Sequence, residues 1–191
     1  VKPGGLTGGK GVKLLGEQLK DVDEAKAYAE SVIREKPGGI ESVLVEEKIL
    51  HPLETTIQTF TDGKSVILTP CVQDYKRAYE EDKGPNTGGM GSYKNVGDVL
   101  PFMTNTDREK EMEVVNRIFQ KWKVEDSTSL RGFPFYVAFM HTGKGFKILE
   151  NNSRPGDPEI QNLLPILKDD FVDVCYKILE GNLTHVNLEE K

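Results

Sequence analysis

The Asp62-Gly63 dipeptide constrains this chain most. It stands between two β-rich runs, Glu54–Thr61 and Lys64–Thr69. Asp and Gly accept positive φ at little cost, so the pair predicts a tight hairpin and antiparallel neighbours. A second hairpin is predicted by Pro134–His141 and Gly145–Glu150 around a Gly-containing turn. Shorter strands are expected at Val12–Leu15 and Ser42–Glu47. Asp21-Val22-Asp23-Glu24 has the form of a helix start. Val22, Ala25, Ala29, Val32 and Ile33 follow at helical spacing, and Pro37-Gly38-Gly39 ends the run. Thr106-x-x-Glu109 reads as a capping box, with Met112, Val115, Ile118, Phe119 and Trp122 forming one apolar stripe behind it. Asp169–Leu179 is the last expected helix, capped by Gly181. Strand hairpins with helices set apart imply α+β layers rather than a doubly wound parallel sheet.

The chain has 191 residues, enough for one sizeable core or two small lobes sharing a cleft. A net charge of −6 argues against nonspecific nucleic-acid or anionic-membrane partners. Local phosphate sites remain open, because loop amides and a few cations bind them. No apolar run approaches the ~18 residues of a membrane span, and no signal peptide is visible. Cys71 and Cys175 form no metal framework. Free thiols in a cytosolic protein are the expectation, with a single disulfide the alternative. Val1-Lys2-Pro3-Gly4-Gly5 reads as a strand end running into a loop, so upstream sequence is expected.

Four segments carry residues suited to phosphoryl chemistry. Pro3–Gly11 holds five glycines, including Gly8, Gly9 and Gly11, flanked by Lys2 and Lys10. Glycines let amides approach a polyphosphate, and the lysines neutralise its charge. It is not a Walker A loop, since Lys10 precedes Gly11 and a strand. A plain flexible loop is the alternative. Glu46-Glu47-Lys48-Ile49 at a strand end would meet a nucleotide base, and Glu54 a ribose; a solvated acidic face is the alternative. Pro70–Asn105 reads as mostly irregular, about 35 residues, too long for a passive connection. It contains Gln73-Asp74-Tyr75-Lys76-Arg77 and the run Gly84-Pro85-Asn86-Thr87-Gly88-Gly89-Met90-Gly91, which suggest a second anion contact or a lid rather than an undistinguished surface loop. Finally, Glu150 and Asn152 sit two apart at a strand end and share a face. Two hard oxygens there suit Mg²⁺. Arg154 would hold a carboxylate or phosphate by two parallel bonds, and Pro155, Gly156, Asp157, Pro158 and Glu159 complete the segment. A polar turn is the alternative. Together the four make a parts list for Mg-ATP phosphoryl transfer. His51, His141 and His185 are isolated and read as structural or surface residues. Trp122, Phe133, Phe135, Tyr136 and Phe139 read as core.

The run Gln73-Asp74-x-Lys76-Arg77, followed by Gly84-Pro85-Asn86-Thr87-Gly88-Gly89-Met90-Gly91, resembles the signature of the phosphoribosylamine–glycine ligase family. Glu150-x-Asn152-x-Arg154-x-Gly156-Asp157-Pro158-Glu159, Lys2 with Gly8-Gly9-Lys10-Gly11, and Glu46-Glu47 match further motifs of that family, in its order and across nearly the whole chain. The resemblance implies an ATP-grasp fold, two α+β lobes enclosing a nucleotide cleft, with approximately residues 1–50 in a truncated first lobe and 51–191 in the second. It implies an N-terminal and a C-terminal domain elsewhere in the full chain, and a cytoplasmic enzyme. The substrates would be ATP, glycine and phosphoribosylamine, with Mg²⁺ as the metal and Mn²⁺ as a substitute. Lys2 and Lys10 would contact phosphates, with Gly8, Gly9 and Gly11. Glu46, Glu47, Lys48 and Ile49 would meet adenine, and Glu54 the ribose. Glu150 and Asn152 would bind metal. Arg154 would steady an acyl phosphate or its attacking amine, Lys76 would lie near the γ-phosphate or substrate, and Asp74, Asn86, Thr87, Gly88, Asp157 and Glu159 would meet substrate.

Departures are visible. The family usually has His where Tyr75 stands, an aromatic at Pro155, and Ala or Cys at Ser153. The spacing from Glu47 to Glu54 is one residue longer than the common form. None removes a metal ligand. Two rival readings share the nucleotide residues: another ATP-grasp carboxylate–amine ligase, and a nucleotide-binding module without catalysis. Retained Glu150, Asn152 and Lys10 speak against the second.

Overall fold

The computed structural model describes residues 1–8, 11–50, 53–125, 130, 132 and 134–188. Gly9, Lys10, His51 and Phe133 lie outside them. The strands are β1 (Lys2–Pro3), β2 (Val43–Leu44), β3 (Leu53–Thr61), β4 (Val66–Tyr79), β5 (Lys83–Tyr93), β6 (Tyr136–Thr142) and β7 (Gly145–Asn152). The helices are α1 (Val22–Glu35), α2 (Asn105–Glu125), α3 (Ile160–Leu163) and α4 (Phe171–Glu180). The chain divides into two compact units, Val1–His51 with Lys76–Met90, and Pro52–Tyr75 with Gly91–Lys191. No helix among the described residues is long and apolar enough to cross a membrane.

In the first unit β1 pairs antiparallel with β2, Lys2 opposite Leu44 and Pro3 opposite Val43. Helix α1 starts as expected. Asp21 is extended, and its carboxylate accepts from the Glu24 amide at 2.9 Å. Glu24 reaches back to the Lys20 amide at 2.8 Å, so two orphan donors are satisfied together. The helix stops at Lys36, whose left-handed φ of 51° returns its amide to Val32 O. The strand expected at Val12–Leu15 does not form. Its backbone is drawn into a local turn, with Gly16 N bonded to Leu19 O at 2.7 Å and Leu19 N to Leu14 O at 3.1 Å. The strand expected at Ser42–Glu47 shortens to Val43–Leu44, so Glu46–Ile49 lie beyond the pairing.

The expectation of an irregular Pro70–Asn105 is overturned. β4 and β5 form a long hairpin through Glu80–Asp82. Glu81 and Asp82 take left-handed φ of 57° and 55°, the twist a tight hairpin needs. Gly, Pro, Asn and Lys are poor strand formers, so the sequence hides strands that backbone pairing creates. Gly84, at φ 87°, lies against Tyr79, whose ring would stand 2.4 Å from an added Cβ.

The larger sheet has the strand order β5-β4-β3-β6-β7, and β3, β6 and β7 belong wholly to the second unit. Period two sends alternate β3 side chains to opposite faces. Ile57 joins Cys71, Val115, Phe119, Phe135, Val137 and Phe139 in the cluster beneath α2. Phe60 packs with Val174 of α4 and Leu183 on the other face. The cap of α2 sits two residues before the expected one. Thr104 N donates to Asp107 Oδ2 at 2.9 Å and Asp107 N to Thr104 Oγ1 at 3.2 Å, which completes the reciprocal geometry earlier.

On the buried face of α2, Glu111 accepts from the Thr55 hydroxyl at 2.7 Å and meets His141 Nε2 at 2.6 Å. His141 therefore has the structural role expected of it. Burial, with the Glu111 charge beside it, pushes the Cys71 thiol far above its ordinary range, so this cysteine is an inert core residue. Glu111→Ala strands Thr55 and His141 without their acceptor and costs about 3–5 kcal/mol. Urea unfolding followed by the fluorescence of Trp122 measures it.

Asp62 sets the β3–β4 turn and ties it to the end of the chain. Its Oδ1 accepts from Lys64 N at 2.9 Å and Ser65 N at 2.7 Å, and its Oδ2 from Leu183 N at 3.0 Å. Burial alone would raise its carboxyl, but the amides of Ser65, Lys64 and Leu183 together outweigh it and hold it below the usual range. A carboxyl depressed on folding contributes stability that is complete above its unfolded value of about 3.9 and lost as pH falls through the folded one. Asp62→Ala is expected to cost about 3 kcal/mol at pH 7, and the gap to the parent should narrow below about pH 4, measured by urea unfolding from pH 7 to 3.

Candidate functional site

The glycine loop of the first unit closes at its base where Lys13 N donates to Val1 O at 2.9 Å. Its glycines separate into two kinds. An added Cβ would meet Ser42 Oγ at 1.9 Å from Gly4, Pro37 O at 2.5 Å from Gly5 and Pro3 Cγ at 2.5 Å from Gly11. These three serve close packing. Gly8, at φ 59°, has nothing within 4 Å and stands at the open part of the loop. Lys2 pairs with Glu46 at 2.8 Å, so two residues expected at the nucleotide lie together. Lys48 pairs with Glu17 at 3.0 Å and donates to Leu15 O at 3.1 Å. Glu17 also takes Arg77, at 2.8 Å, while Arg77 donates to Gly84 O at 2.7 Å. The Lys48 bond first, then Arg77, hold the Glu17 carboxyl below its usual range against the opposing effect of burial. Sequence reasoning missed Glu17, because 60 residues separate it from Arg77 and no motif announces it. Thr87 donates to Lys76 O at 2.8 Å and accepts from Gly89 N at 3.2 Å. This fixes Thr87 beside Lys76, with Asn86 and the open Gly88 on either side.

In the second unit a bulge aims the acidic strand end. Ala138 pairs with Glu150 but Phe139 pairs with Ile148, so Leu149 is an extra residue in β7. Without it Ile148 and Glu150 would share a face. With it Ile148 and Asn151 turn toward α2, lining a groove with Met112 and Trp122. Glu150 and Asn152 turn to the other face, beside Ala138 and Tyr136. There Asn152 Nδ2 donates to Glu150 Oε1 at 2.9 Å. Arg154 lies 5.9 Å over the Tyr136 ring and donates to Pro155 O at 3.0 Å. A cis Asp157-Pro158 bond follows. Gly156 N donates to the buried Gln58 Oε1 at 2.7 Å. Asp157 accepts from Gln161 Nε2 at 2.9 Å. Glu159 and Asp74, both expected at the substrate, are buried, Glu159 with its carboxylate beneath Gly156. Glu54 stands near the start of β3 opposite Met140.

The Glu150–Asn152 pair suits a hard divalent cation. It brings a carboxylate and a side-chain amide together at a strand end, Glu150 exposed and Asn152 half-buried. Among the described residues no group of three His, Cys, Asp or Glu side chains gathers at ligand spacing. A carboxylate and an amide would leave most coordination positions of such a cation to other oxygens.

The fold so assembled is the ATP-grasp fold. Biotin carboxylase from Campylobacter jejuni, solved as a β,γ-ATP complex, superposes on 95% of the chain and 37% of its own, with a TM-score of 0.63 and 12% identity. At that identity the likeness concerns the fold alone. The sequence profile of the phosphoribosylglycinamide synthetase ATP-grasp (A) domain matches residues 1–160, and the chain belongs to that family. The phosphoribosylamine–glycine ligase of Methanopyrus kandleri is 49% identical over 183 residues, covering 96% of this chain and 40% of the relative. That of Methanococcus vannielii is 48% identical over 189 residues, covering 99% and 42%. The crystal structure of the Thermotoga maritima phosphoribosylamine–glycine ligase is 30% identical with a TM-score of 0.69, covering 98% of this chain and 46% of its own. The chain thus spans about two fifths of the length of the curated relatives it matches.

The two kinds of loop glycine should respond differently to a methyl group. Gly5→Ala forces the loop off Pro37 and should loosen the whole first unit. Gly8→Ala meets nothing and costs only about 1 kcal/mol of backbone strain. Amide exchange across residues 11–50 distinguishes them.

Proposed function

We propose that this chain is the nucleotide-binding part of an enzyme that joins glycine to 5-phosphoribosylamine at the expense of ATP. The products would be glycinamide ribonucleotide, ADP and phosphate, formed through glycyl phosphate. The observation that carries this reading is the family membership across residues 1–160, supported by relatives of that name at 48–49% identity. Further domains of the full-length chain would supply much of the phosphoribosylamine site, and the enzyme would work in the cytoplasm.

The reaction needs positioning and charge neutralisation rather than a side-chain nucleophile. The glycine carboxylate attacks the γ-phosphorus of ATP and ADP leaves; the amine of phosphoribosylamine then attacks the acyl carbon and phosphate leaves. Lys2 and Lys10 would hold phosphates through charge, and Gly8, Gly9 and Gly11 through backbone amides. Glu46, Glu47, Lys48 and Ile49, beyond the pairing of β2, would meet adenine, and Glu54 would take the ribose. Glu150 and Asn152 would hold Mg²⁺, which when bound neutralises phosphate charge. Arg154 is tethered over Tyr136 beside that pair and would bridge the acyl phosphate by its two parallel donors. Lys76, anchored next to Thr87, would meet the transferring phosphate. Asp74, Asn86, Thr87, Gly88, Asp157 and Glu159 would shape the substrate pocket. Buried Asp74 and Glu159 would act through the backbone they support.

The test is ATP binding by calorimetry with and without Mg²⁺, on the parent and on Glu150→Ala/Asn152→Ala, followed by turnover of the full-length chain. Mg-dependent binding should weaken about 10–100-fold in the double variant. Turnover should require both glycine and phosphoribosylamine. Turnover with a different acid or amine would transfer the reading to another ATP-grasp ligase.

A further inference from the structure

We infer that Gln58 is a positioning residue, holding the Arg154–Glu159 loop in register with the Glu150–Asn152 pair; this rests on the ligase reading above. Gln58 lies on β3, far from the motifs in sequence, and only 2% of it is exposed. Its Oε1 accepts from Gly156 N at 2.7 Å. Only a carbonyl oxygen can face an N–H, so this bond fixes which way the amide points. The opposite end, Nε2, donates to Thr56 Oγ1 at 3.3 Å. The Thr56 hydroxyl spends its single proton on Val72 O at 3.2 Å, which leaves its lone pairs to accept from Gln58. The chain of bonds therefore has one direction, from the buried Gly156 amide through Gln58 and Thr56 to the strand that carries Gln73 and Asp74.

Arg154 gains its position from both sides. Asn152, two residues before it, is held by pairing with Tyr136. Gly156, two residues after it, is held between Gln58 and the buried Glu159 carboxylate, which would lie 2.7 Å from an added Cβ. The residues between, Ser153–Pro155, are exposed. Arg154 is thus suspended between two fixed points, and Gln58 secures the one that strand pairing does not reach. A side chain that supports the outer layer of a reactive site alters rate when it moves, with little change in the binding of remote parts of the substrate.

Gln58→Met keeps the volume and removes the acceptor, and Gln58→Glu, kept protonated by burial, keeps both the acceptor for Gly156 and a donor for Thr56. In the full-length enzyme Gln58→Met should lower kcat about 10–100-fold while KM for ATP moves by no more than roughly twofold. Gln58→Glu should recover most of the rate. In the present chain the Gly156 amide should exchange slowly in the parent and in Gln58→Glu, and much faster in Gln58→Met, with β3 and β6 still protected. An unchanged kcat in Gln58→Met overturns the role, and so does a loss of protection spread over β3 and β6, which would make Gln58 a residue of the general core. If the parent makes no glycinamide ribonucleotide the ligase reading fails, and Gly156 exchange still decides whether Gln58 holds the loop.

Discussion

Strand β3 has both edges committed, to β4 on one side and β6 on the other, and the second unit is organised around that commitment. A central strand cannot slip by one residue without exchanging its two faces. Its odd positions, Thr55 and Ile57, meet Glu111 and the core beneath α2. Its even positions, Thr56 and Gln58, carry the bonds that reach Val72 and Gly156. One register thus supplies the core with one set of residues and the site with the other.

Two irregularities adjust that plan. Between Ile57 and Thr59 the partner strand advances from Cys71 to Leu68, so β4 carries an extra residue at the Thr69-Pro70 step. Proline cannot donate to a ladder, and a bulge is where a sheet tolerates one. The Thr69 hydroxyl donates to Gln58 O at 3.1 Å there. The second bulge, at Leu149, separates Ile148 from Glu150. Each lies beside residues of the candidate site, where a change of strand direction re-aims a side chain.

In the first unit ion pairs join segments far apart in sequence. α1 buries only Val32 completely, while Lys2–Glu46 and the Glu17 contacts with Lys48 and Arg77 tie its segments together. Such pairs stabilise little when exposed.

The sequence by itself determined the hairpin at Asp62-Gly63, the start of α1 and the Gly181 end of α4. Caps and turns are local: a carboxylate bonds an amide three residues on whatever surrounds it. The family resemblance was equally legible, since Gly84–Gly91 and Glu150–Glu159 are contiguous. Other features belonged to the tertiary structure alone. The β4–β5 hairpin forms from residues with poor strand propensity, because pairing outweighs local preference. The face that Glu150 occupies depends on one extra residue, which alternation in the sequence cannot reveal. Glu17, Glu111 and Gln58 acquire their roles from partners 60, 30 and 98 residues away. Separations of that size leave no periodic trace in a sequence, because the distance between such residues is set only when the sheet assembles.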